Sequence, residues 1–456
     1  MTARDPFDGR EMPANGKGHV CIYCVRGVRK LSPAAWNEYT DSCKPHFSVV
    51  LSDTPFTFPP HSQKRLTKSL ERSTAWLVDT LKTVRNKSAA FSDEGLSTHA
   101  RLLVHMAGVA NAQARRAFSE SLGEPLEATD RDRLQPLKTL DEGVAGYVFD
   151  LVPLRMALST HHPADDLTDP SDLLVTNPEK GEAPAQISDD FAGLLRASLQ
   201  PLPVEKPRIV NSARSPHEIL GLVLDVGVEL FDAHWAQRAA DIGVALDFKF
   251  PLDDVSTPND PSSTCAAPRV RATGKQDLGH NLYSAAYAHD HSRLAAAFLD
   301  ASSASASPSS PICKCAACSP RIPATHSAHS AVDALSSLHG RGETTTALPP
   351  YTRSYVHHLL HTHEMSAHAL LVMHNLTVLD AFFAGVRAVL ARPTGSEELR
   401  KEAERFIEKY DEEMLVMEEA KAQWREVDRA RGKGRLAREK EKQHESTVGT
   451  AVDIDL

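Results

Sequence analysis

Three cysteines lie within six positions of this chain, in the stretch PICKCAACSP at 311–320. Cys313, Cys315 and Cys318 make up three of only seven cysteines in the whole sequence, so chance is a poor explanation for the cluster. Three thiolates at C-x-C-x-x-C spacing in a tight turn can converge on one tetrahedral ion, and zinc then takes a fourth ligand, commonly a histidine. The spacing therefore predicts a zinc site. A redox-exposed loop and incidental cysteines in a low-complexity segment are the alternatives.

The fourth ligand must come from a histidine elsewhere in the chain. Several histidines spread around one predicted helix and are mostly expected in solvent: His357, His358, His361, His363 and His368. His374 instead stands between the apolar stretches ALLVM and NLTVL, which predict a buried side chain. A buried histidine is more often a hydrogen-bonded core residue than a ligand, but this three-thiolate site lacks a partner. We therefore predict that His374 completes a site for one Zn²⁺ ion.

Alternating strand and helix patterns must position these residues. Predicted strands lie at 18–24, 46–53, 101–109, 143–152, 207–212 and 228–234. Predicted helices lie at 32–43, 63–86, 111–122, 189–199 and from the capping box SPHE at 215–218 to near Gly227. This order indicates βαβ units on a parallel sheet, for which a doubly wound sheet and a (β/α)8 barrel give nearly the same pattern. No G-x-G-x-x-G follows a predicted strand, which argues against a dinucleotide-binding fold.

The sequence changes character after about residue 300. A Ser/Ala/Pro linker at 301–310 and an aperiodic Ser/His/Thr/Pro-rich stretch at 319–350 flank the cysteines and are expected to be mobile insertions. Helical periodicity resumes over 351–391, and an apolar stripe at three- to four-residue spacing follows from Leu399 to Trp424. We interpret the stripe as a helix with one face on its own domain, with a partner-binding helix as the alternative.

Composition limits the classes of protein that this chain can be. Its 456 residues carry a net charge of −9, which argues against a general nucleic-acid coat but permits a local basic patch. No run approaches the roughly 18 apolar residues of a membrane span, and the N-terminus lacks the apolar core of a signal peptide. The odd cysteine count favours reduced thiols over a disulfide framework. The two thiols of CIYC at 21–24 are expected on different faces of a strand, in a structural role. These features predict a cytoplasmic protein.

Three stretches carry a resemblance to a known family: CKCAAC at 313–318, YTRSYVHHLLHTHEM at 351–365 and ALLVMHN at 369–375. Together they resemble the C-terminal zinc module of the tRNA-guanine transglycosylases, in which the three cysteines and the histidine of the closing HN bind zinc. The resemblance implies an α/β fold, a (β/α)8 TIM-type barrel with a C-terminal zinc-binding helical subdomain. Catalytic members exchange guanine at wobble position 34 of tRNA for a deazaguanine, which is queuine in eukaryotes. The tRNAs are those with GUN anticodons, for aspartate, asparagine, histidine and tyrosine. A covalent aspartate intermediate lets the first base leave before the second arrives.

The upstream match carries over only in part. Asp232 falls at the position of the family's nucleophilic aspartate, and Asp53 falls at the position of its base-binding aspartate. Ala107 stands where the family has a base-holding glutamine, and Asp150 and Leu151 replace its double-glycine turn. The family's Asp-Ser-Gly-Gly segment, which carries the proton-transferring aspartate, is absent from this sequence. We therefore expect a barrel that lacks its first strands.

This pattern resembles a non-catalytic branch of the family that pairs with a catalytic subunit as a heterodimer. The resemblance implies an accessory subunit that contacts tRNA through the complex and does not bind DNA. It also implies a cytoplasmic location, with which peripheral association at the mitochondrial outer membrane is compatible. On this interpretation no residue is catalytic: Asp232 caps a neighbouring backbone and Asp53 belongs to a strand-end turn. An active transglycosylase that uses Asp232 as nucleophile is the main alternative. A zinc-dependent scaffold without a tRNA role is another.

The predicted organisation follows from these assignments. We divide the chain into a barrel region at 1–300, a linker at 301–312, a zinc subdomain at 313–391 with its insertion at 319–350, and a charged helix and tail at 394–456. Residues 425–442 hold eight Lys or Arg against four Asp or Glu. We interpret this basic stretch as a solvated tail, with contact to tRNA phosphates as the alternative.

Overall fold

A computed structural model describes residues 3, 12–24, 27–55, 60–90, 101–158, 189–253, 265–299, 311–321 and 348–431. The predicted linker at 301–310, most of the predicted insertion and the basic tail beyond 431 lie outside the described residues. Contacts divide the chain into two compact units, residues 1–232 and 233–456. The later part of the predicted 1–300 region thus falls in the second unit.

The first unit consists of a hairpin, a parallel sheet and the helices between its strands. Its strands are β1 Val20–Cys24, β2 Gly27–Leu31, β3 Phe47–Val49, β4 Arg101–His105, β5 Gly146–Asp150, β6 Arg208–Asn211 and β7 Leu230–Phe231. Its helices are α1 Pro33–Cys43, α2 Gln63–Ala90, α3 Ala112–Gly123, α4 Ala128–Leu134, α5 Leu151–Leu158, α6 Asp189–Leu199 and α7 Pro216–Gly221. Strands β3 to β7 form one five-stranded sheet in chain order, with every neighbouring pair parallel. The predicted α/β class with a parallel sheet is therefore confirmed.

Local capping explains where several of these helices begin. The Ser32 hydroxyl accepts from the Ala35 amide at 3.2 Å, and proline occupies the first helical position, as the sequence predicts. The Ser215 hydroxyl accepts from the Glu218 amide at 3.1 Å, which confirms the predicted cap of α7. The helix continues as a π-helical turn over Leu222–Val226 and ends at Gly227, whose φ of 76° favours glycine.

The core of the first unit lies against the parallel sheet. The strands contribute buried side chains such as Val104, Tyr147, Phe149 and Val210, which share one core cluster with residues of helices α2, α3 and α6. Strands covered in this way are apolar in near-continuous runs, which explains why the sequence revealed them. Each fully buried leucine or phenylalanine contributes about 1.5–3 kcal/mol relative to exposure.

Some boundaries in the first unit differ from those predicted. The run GYVFDLV was predicted as one strand to residue 152, but β5 ends at Asp150 and helix α5 begins at Leu151. An apolar run does not by itself separate a strand from the buried helix that follows it. Strand β2 and helix α4 were not predicted. Four of the five residues of β2 are exposed, so this strand carries little of the alternation that identifies a strand.

The second unit is mainly helical around a small sheet. It contains α8 His234–Asp241, β8 Val244–Leu246, β9 Gly279–Asn281, α9 Arg353–His361, α10 Met365–Leu390, α11 Gly395–Lys409 and α12 Leu415–Arg431. Strands β8 and β9 are antiparallel. The predicted helical stretch 351–391 divides at His363, which has a φ of 59°, and the stripe 399–424 divides at Met414, which has a φ of 51°. Periodicity did not reveal either break, because one residue in the left-handed region ends a helix without disturbing the apolar spacing.

Helix α10 is long and apolar enough to cross a membrane by length and composition, contrary to the expectation from the sequence. Its buried residues recur at three- and four-residue spacing, from Ala367 through His374 to Val389. In the apolar window of α10, 44% of the residues are buried inside the structure. This is the pattern of a helix that packs one face on a protein core.

An aromatic cluster forms the centre of the second unit. The rings of Phe248, Phe250, Phe382, Phe406 and Tyr410 pack with centroids 4.7–6.3 Å apart, most of them tilted or edge-on. The apolar stripe of α11 thus packs on its own unit.

Candidate metal centre and strand-end carboxylates

A tight turn of backbone hydrogen bonds places the three cysteines together. The Cys313 amide donates to the Leu299 carbonyl at 2.8 Å, and the Ser319 amide donates to the Cys315 carbonyl at 2.8 Å. The Ser319 hydroxyl also donates to the Cys313 carbonyl at 2.7 Å. All three thiols are unbridged and buried, with Cys313, Cys315 and Cys318 at most 7% exposed. The turn therefore brings three buried sulfurs together.

The donor atoms of Cys313, Cys315, Cys318 and His374 fit one tetrahedral ion. All four lie within 4.8 Å of one another. The Cys313 and Cys315 sulfurs are 3.5 Å apart, and His374 Nδ1 lies 3.6 Å from Cys313 Sγ and 3.2 Å from Cys318 Sγ. Zinc with bonds of about 2.3 Å to sulfur and 2.0–2.1 Å to nitrogen would separate tetrahedral donors by roughly 3.5–3.8 Å. The structure thus brings together the four predicted ligands in a set that could bind a metal ion.

Backbone contacts fix the orientation of the histidine. His374 Nε2 donates to the Leu246 carbonyl at 2.8 Å, which leaves Nδ1 as the nitrogen that faces the sulfurs. The next residue, Asn375, is fully buried, accepts from the Leu246 amide at 2.9 Å, and donates to the carbonyls of Val244 and Ala236 at 2.9 and 3.1 Å. Adjacent residues of α10 therefore attach the helix to strand β8 and hold the ring at the metal centre.

The sulfurs and the imidazole at the centre shift one another's pKa values. Burial opposes a charge on His374, but hydrogen bonds and charge from the sulfurs of Cys313 and Cys315 outweigh it and raise the pKa of His374 to about 10. Hydrogen bonds from Cys313 and Cys318 lower the pKa of Cys315 well below the ordinary thiol value, while the pKa of Cys318 is raised. The metal-free centre thus favours a thiolate at Cys315 beside a protonated His374, and a bound cation would take the place of that proton.

Asp53 follows strand β3, and its carboxylate is fully engaged. It is 0% exposed and accepts from both terminal nitrogens of Arg65 at 2.8 and 2.9 Å, from Arg72 at 3.0 Å and from Asn15 Nδ2 at 2.7 Å. Its amide donates to the Ser73 hydroxyl at 2.9 Å. The carboxylate therefore joins the chain before β1 to helix α2.

The ends of β4, β5 and β6 carry a second polar network. His105 Nε2 lies 2.9 Å from one oxygen of Asp150, and Asn211 Nδ2 donates to the other oxygen at 2.8 Å. The Asp150 side chain is only 12% exposed. Ala107 and Leu151, just after the ends of β4 and β5, are both buried. His105, Asp150 and Asn211 thus occupy the edge of the sheet at which the carboxyl ends of these strands meet.

Asp232 directly follows β7 and contacts the backbone after β6. Its carboxylate accepts from the Ser212 amide at 2.8 Å. Ser212 has a φ of 75°, a left-handed conformation that a serine seldom adopts, and Arg155 donates to its carbonyl at 2.8 Å. Asp232 therefore caps a neighbouring strand end, although its side chain stays half-buried.

A family model described as queuine tRNA-ribosyltransferase matches residues 181–412, just over half of the chain. The chain belongs to the queuine tRNA-ribosyltransferase family. The match covers Asp232 and all four candidate metal ligands, whereas Asp53 and Asp150 lie upstream of it.

Similar curated proteins within this family share one name, queuine tRNA-ribosyltransferase accessory subunit 2. That of Schizosaccharomyces pombe is 25% identical over 227 residues, which are 49% of this chain and 38% of the relative. That of Homo sapiens is 24% identical over 210 residues, 43% of this chain and 40% of the relative. That of Drosophila persimilis is 24% identical over 392 residues, 86% of this chain and 66% of the relative. The chain thus spans about two fifths of the length of the Schizosaccharomyces pombe and Homo sapiens relatives.

Several residues of these sites in this member of the queuine tRNA-ribosyltransferase family were not predicted from the sequence. Asn375 was part of a recognised motif, but its three backbone bonds were not foreseen. His105 and Asn211 were not singled out, although each is a polar residue at the carboxyl end of a predicted strand. Arg65 and Arg72 lie on one face of α2, and only the packing of that helix brings them to Asp53.

Proposed function

We propose that this chain is a zinc-binding, non-catalytic accessory subunit of a eukaryotic queuine tRNA-ribosyltransferase. It would support a catalytic subunit, in a heterodimer, in exchanging guanine for queuine at wobble position 34 of tRNAs with GUN anticodons. The family match and the accessory-subunit name of its relatives support this role. The proposal that the chain is non-catalytic rests on Asp53, whose carboxylate oxygens already accept hydrogen bonds from Arg65 and Arg72.

The strand-end residues argue against a base pocket in this chain. A carboxylate that binds an incoming base needs free acceptor capacity, but Asp53 already accepts four hydrogen bonds from Asn15, Arg65 and Arg72. A base would have to displace two arginines from a buried anion, which is costly. By the sequence resemblance Asp150 stands where the family has a double-glycine turn, and its contacts with His105 and Asn211 support the same conclusion.

Zinc is the metal that best suits the candidate centre. Three thiolates and one imidazole are the donors of closed, four-coordinate structural zinc sites, which leave no position for substrate. The ion would join the cysteine turn to helix α10 through His374, and Asn375 and the Leu246 carbonyl would keep the ligand in register. Its role is therefore to stabilise the second unit.

The remaining parts of the proposal rest on the family. The parallel sheet β3–β7 would belong to a (β/α)8 barrel, and tRNA would be reached through the complex. A cytoplasmic location, with peripheral association at the mitochondrial outer membrane, completes the proposal. DNA is not an expected ligand.

A base-exchange assay tests this function. The purified chain, alone and mixed with a catalytic queuine tRNA-ribosyltransferase subunit, is given tRNA and labelled guanine or queuine. We expect no exchange by the chain alone, and a complex of the two subunits that exchanges. Asp232→Asn in this chain should leave the activity of the complex within about twofold.

The outcomes separate the alternatives. Exchange by the chain alone that is abolished by Asp232→Asn would establish an active transglycosylase with Asp232 as nucleophile. Failure to associate with any catalytic subunit, with folding and metal intact, would favour a scaffold without a role on tRNA.

A further inference from the structure

Two histidines on helix α9 form a pair that the metal centre does not use. His357 and His361 are one helical turn apart, and their ring centroids lie 4.2 Å from each other with an interplanar angle of 43°. Residues at i and i+4 share one face of a helix, so the two rings extend side by side from the same surface. His357 is half-buried and His361 is exposed.

Backbone contacts select the same nitrogen on both rings. His357 Nδ1 lies 2.8 Å from the Leu282 carbonyl, and His361 Nδ1 lies 3.0 Å from the His357 carbonyl. A carbonyl oxygen can only accept, so each Nδ1 carries the proton and each neutral ring keeps its lone pair on Nε2. Among the described residues, neither Nε2 has a hydrogen-bond partner and neither ring pairs with a carboxylate.

This arrangement is the one that metal-binding histidines adopt. A ligating imidazole almost always donates its other N–H to a carbonyl or carboxylate, which fixes the tautomer and the ring orientation. Burial lowers the pKa of His357 below its ordinary value, and the neighbouring charges that act on it belong to other histidines. His357 therefore stays neutral near pH 7, as a ligand must. Tyr283 packs edge-on against the His361 ring at 5.7 Å and limits its movement.

We propose that His357 and His361 form a second metal site, which binds a divalent transition-metal ion such as Zn²⁺ or Ni²⁺ through their Nε2 atoms. Imidazole suits these borderline ions, and two protein ligands leave the other coordination positions to water. The site is consequently open and exchangeable, in contrast to the buried four-ligand cluster of Cys313, Cys315, Cys318 and His374. It does not rest on the accessory role, because it requires only that the second unit is folded.

The test is a metal titration of the full-length, zinc-loaded chain. After the cysteine cluster is filled, added Zn²⁺ or Ni²⁺ is expected to bind one further site and to raise the melting temperature of the protein. His361→Ala should weaken this second site by about tenfold or more and remove the thermal shift, while the tightly bound first ion stays in place. His357→Ala should do the same.

A matched control keeps the result specific. His358→Ala removes an exposed histidine from the neighbouring face of the same helix and should leave the second site unchanged. Because His357 also bonds to the Leu282 carbonyl, its substitution can weaken the fold, whereas His361 is exposed and serves as the decisive variant. Equal second-site affinity in wild type and His361→Ala, or no second site in the wild type, would overturn the proposal. So would a loss in His358→Ala as large as in His361→Ala.

Discussion

Replacing Asp53 with asparagine separates a structural carboxylate from a base-binding one. The substitution keeps the size of the side chain but removes the charge that two arginines surround. It also places an amide N–H group where Asp53 now accepts from Arg65, Arg72 or Asn15, so that donor faces donor. We expect Asp53→Asn to destabilise the first unit.

The structure sets the size of this effect. Breaking a fully buried ion pair by removing one partner costs about 3–5 kcal/mol. Asp53 is fully buried, but the side chains of Arg65 and Arg72 are 24% and 22% exposed and can turn partly to water. We therefore expect a loss of about 3 kcal/mol, near the lower end of that range, in the free energy of unfolding. For a unit of this size the loss lowers the melting temperature by roughly 6–12 °C.

Urea and thermal unfolding followed by circular dichroism measure the loss. The matched control is Asp79→Asn, which removes an exposed carboxylate from the same helix α2 and should change stability by less than about 0.5 kcal/mol. If Asp53→Asn unfolds like wild type and instead abolishes queuine exchange by the complex, the structural role assigned to Asp53 is wrong.

Three further predictions concern the second unit. Cys315→Ser should lose the metal ion, seen by elemental analysis, and lower the melting temperature of the unit, while Cys43→Ser at an exposed cysteine should do neither. Asn375→Ala should cost about 3 kcal/mol in urea unfolding because it leaves the backbone groups that Asn375 contacts unpaired, whereas Met373→Ala on the same helix should cost less than about 1 kcal/mol. Metal retention should decrease as the pH is lowered, because the metal-free centre holds a proton on His374, whose pKa is about 10, and the ion must displace that proton. Competition with a chelator should therefore show an apparent metal affinity that drops at least about tenfold for each pH unit from pH 7 to pH 5. A pH-independent affinity would contradict the ligation of His374.

Local chemistry made the metal centre predictable. The three cysteines are close in sequence, so one turn brings them together whatever the rest of the fold, and the apolar surroundings of His374 predicted its burial. The central strands β4 and β5 were predictable for a related reason, because burial of both faces makes them apolar in near-continuous runs. The N-caps at Ser32 and Ser215 also depend only on neighbouring residues.

The strand-end carboxylates depended on tertiary structure. From the sequence, Asp53, Asp150 and Asp232 were polar residues at the ends of predicted strands, and a family position could be assigned to each. What each carboxylate contacts is set by residues 12 to 61 positions away: Arg65 for Asp53, Ser212 for Asp232, and Asn211 for Asp150. Only the pairing of parallel strands and the packing of α2 bring these partners within hydrogen-bond distance, and neither is encoded in a local pattern. The sequence by itself determined which groups could do chemistry, and the tertiary structure decided which of them already have partners.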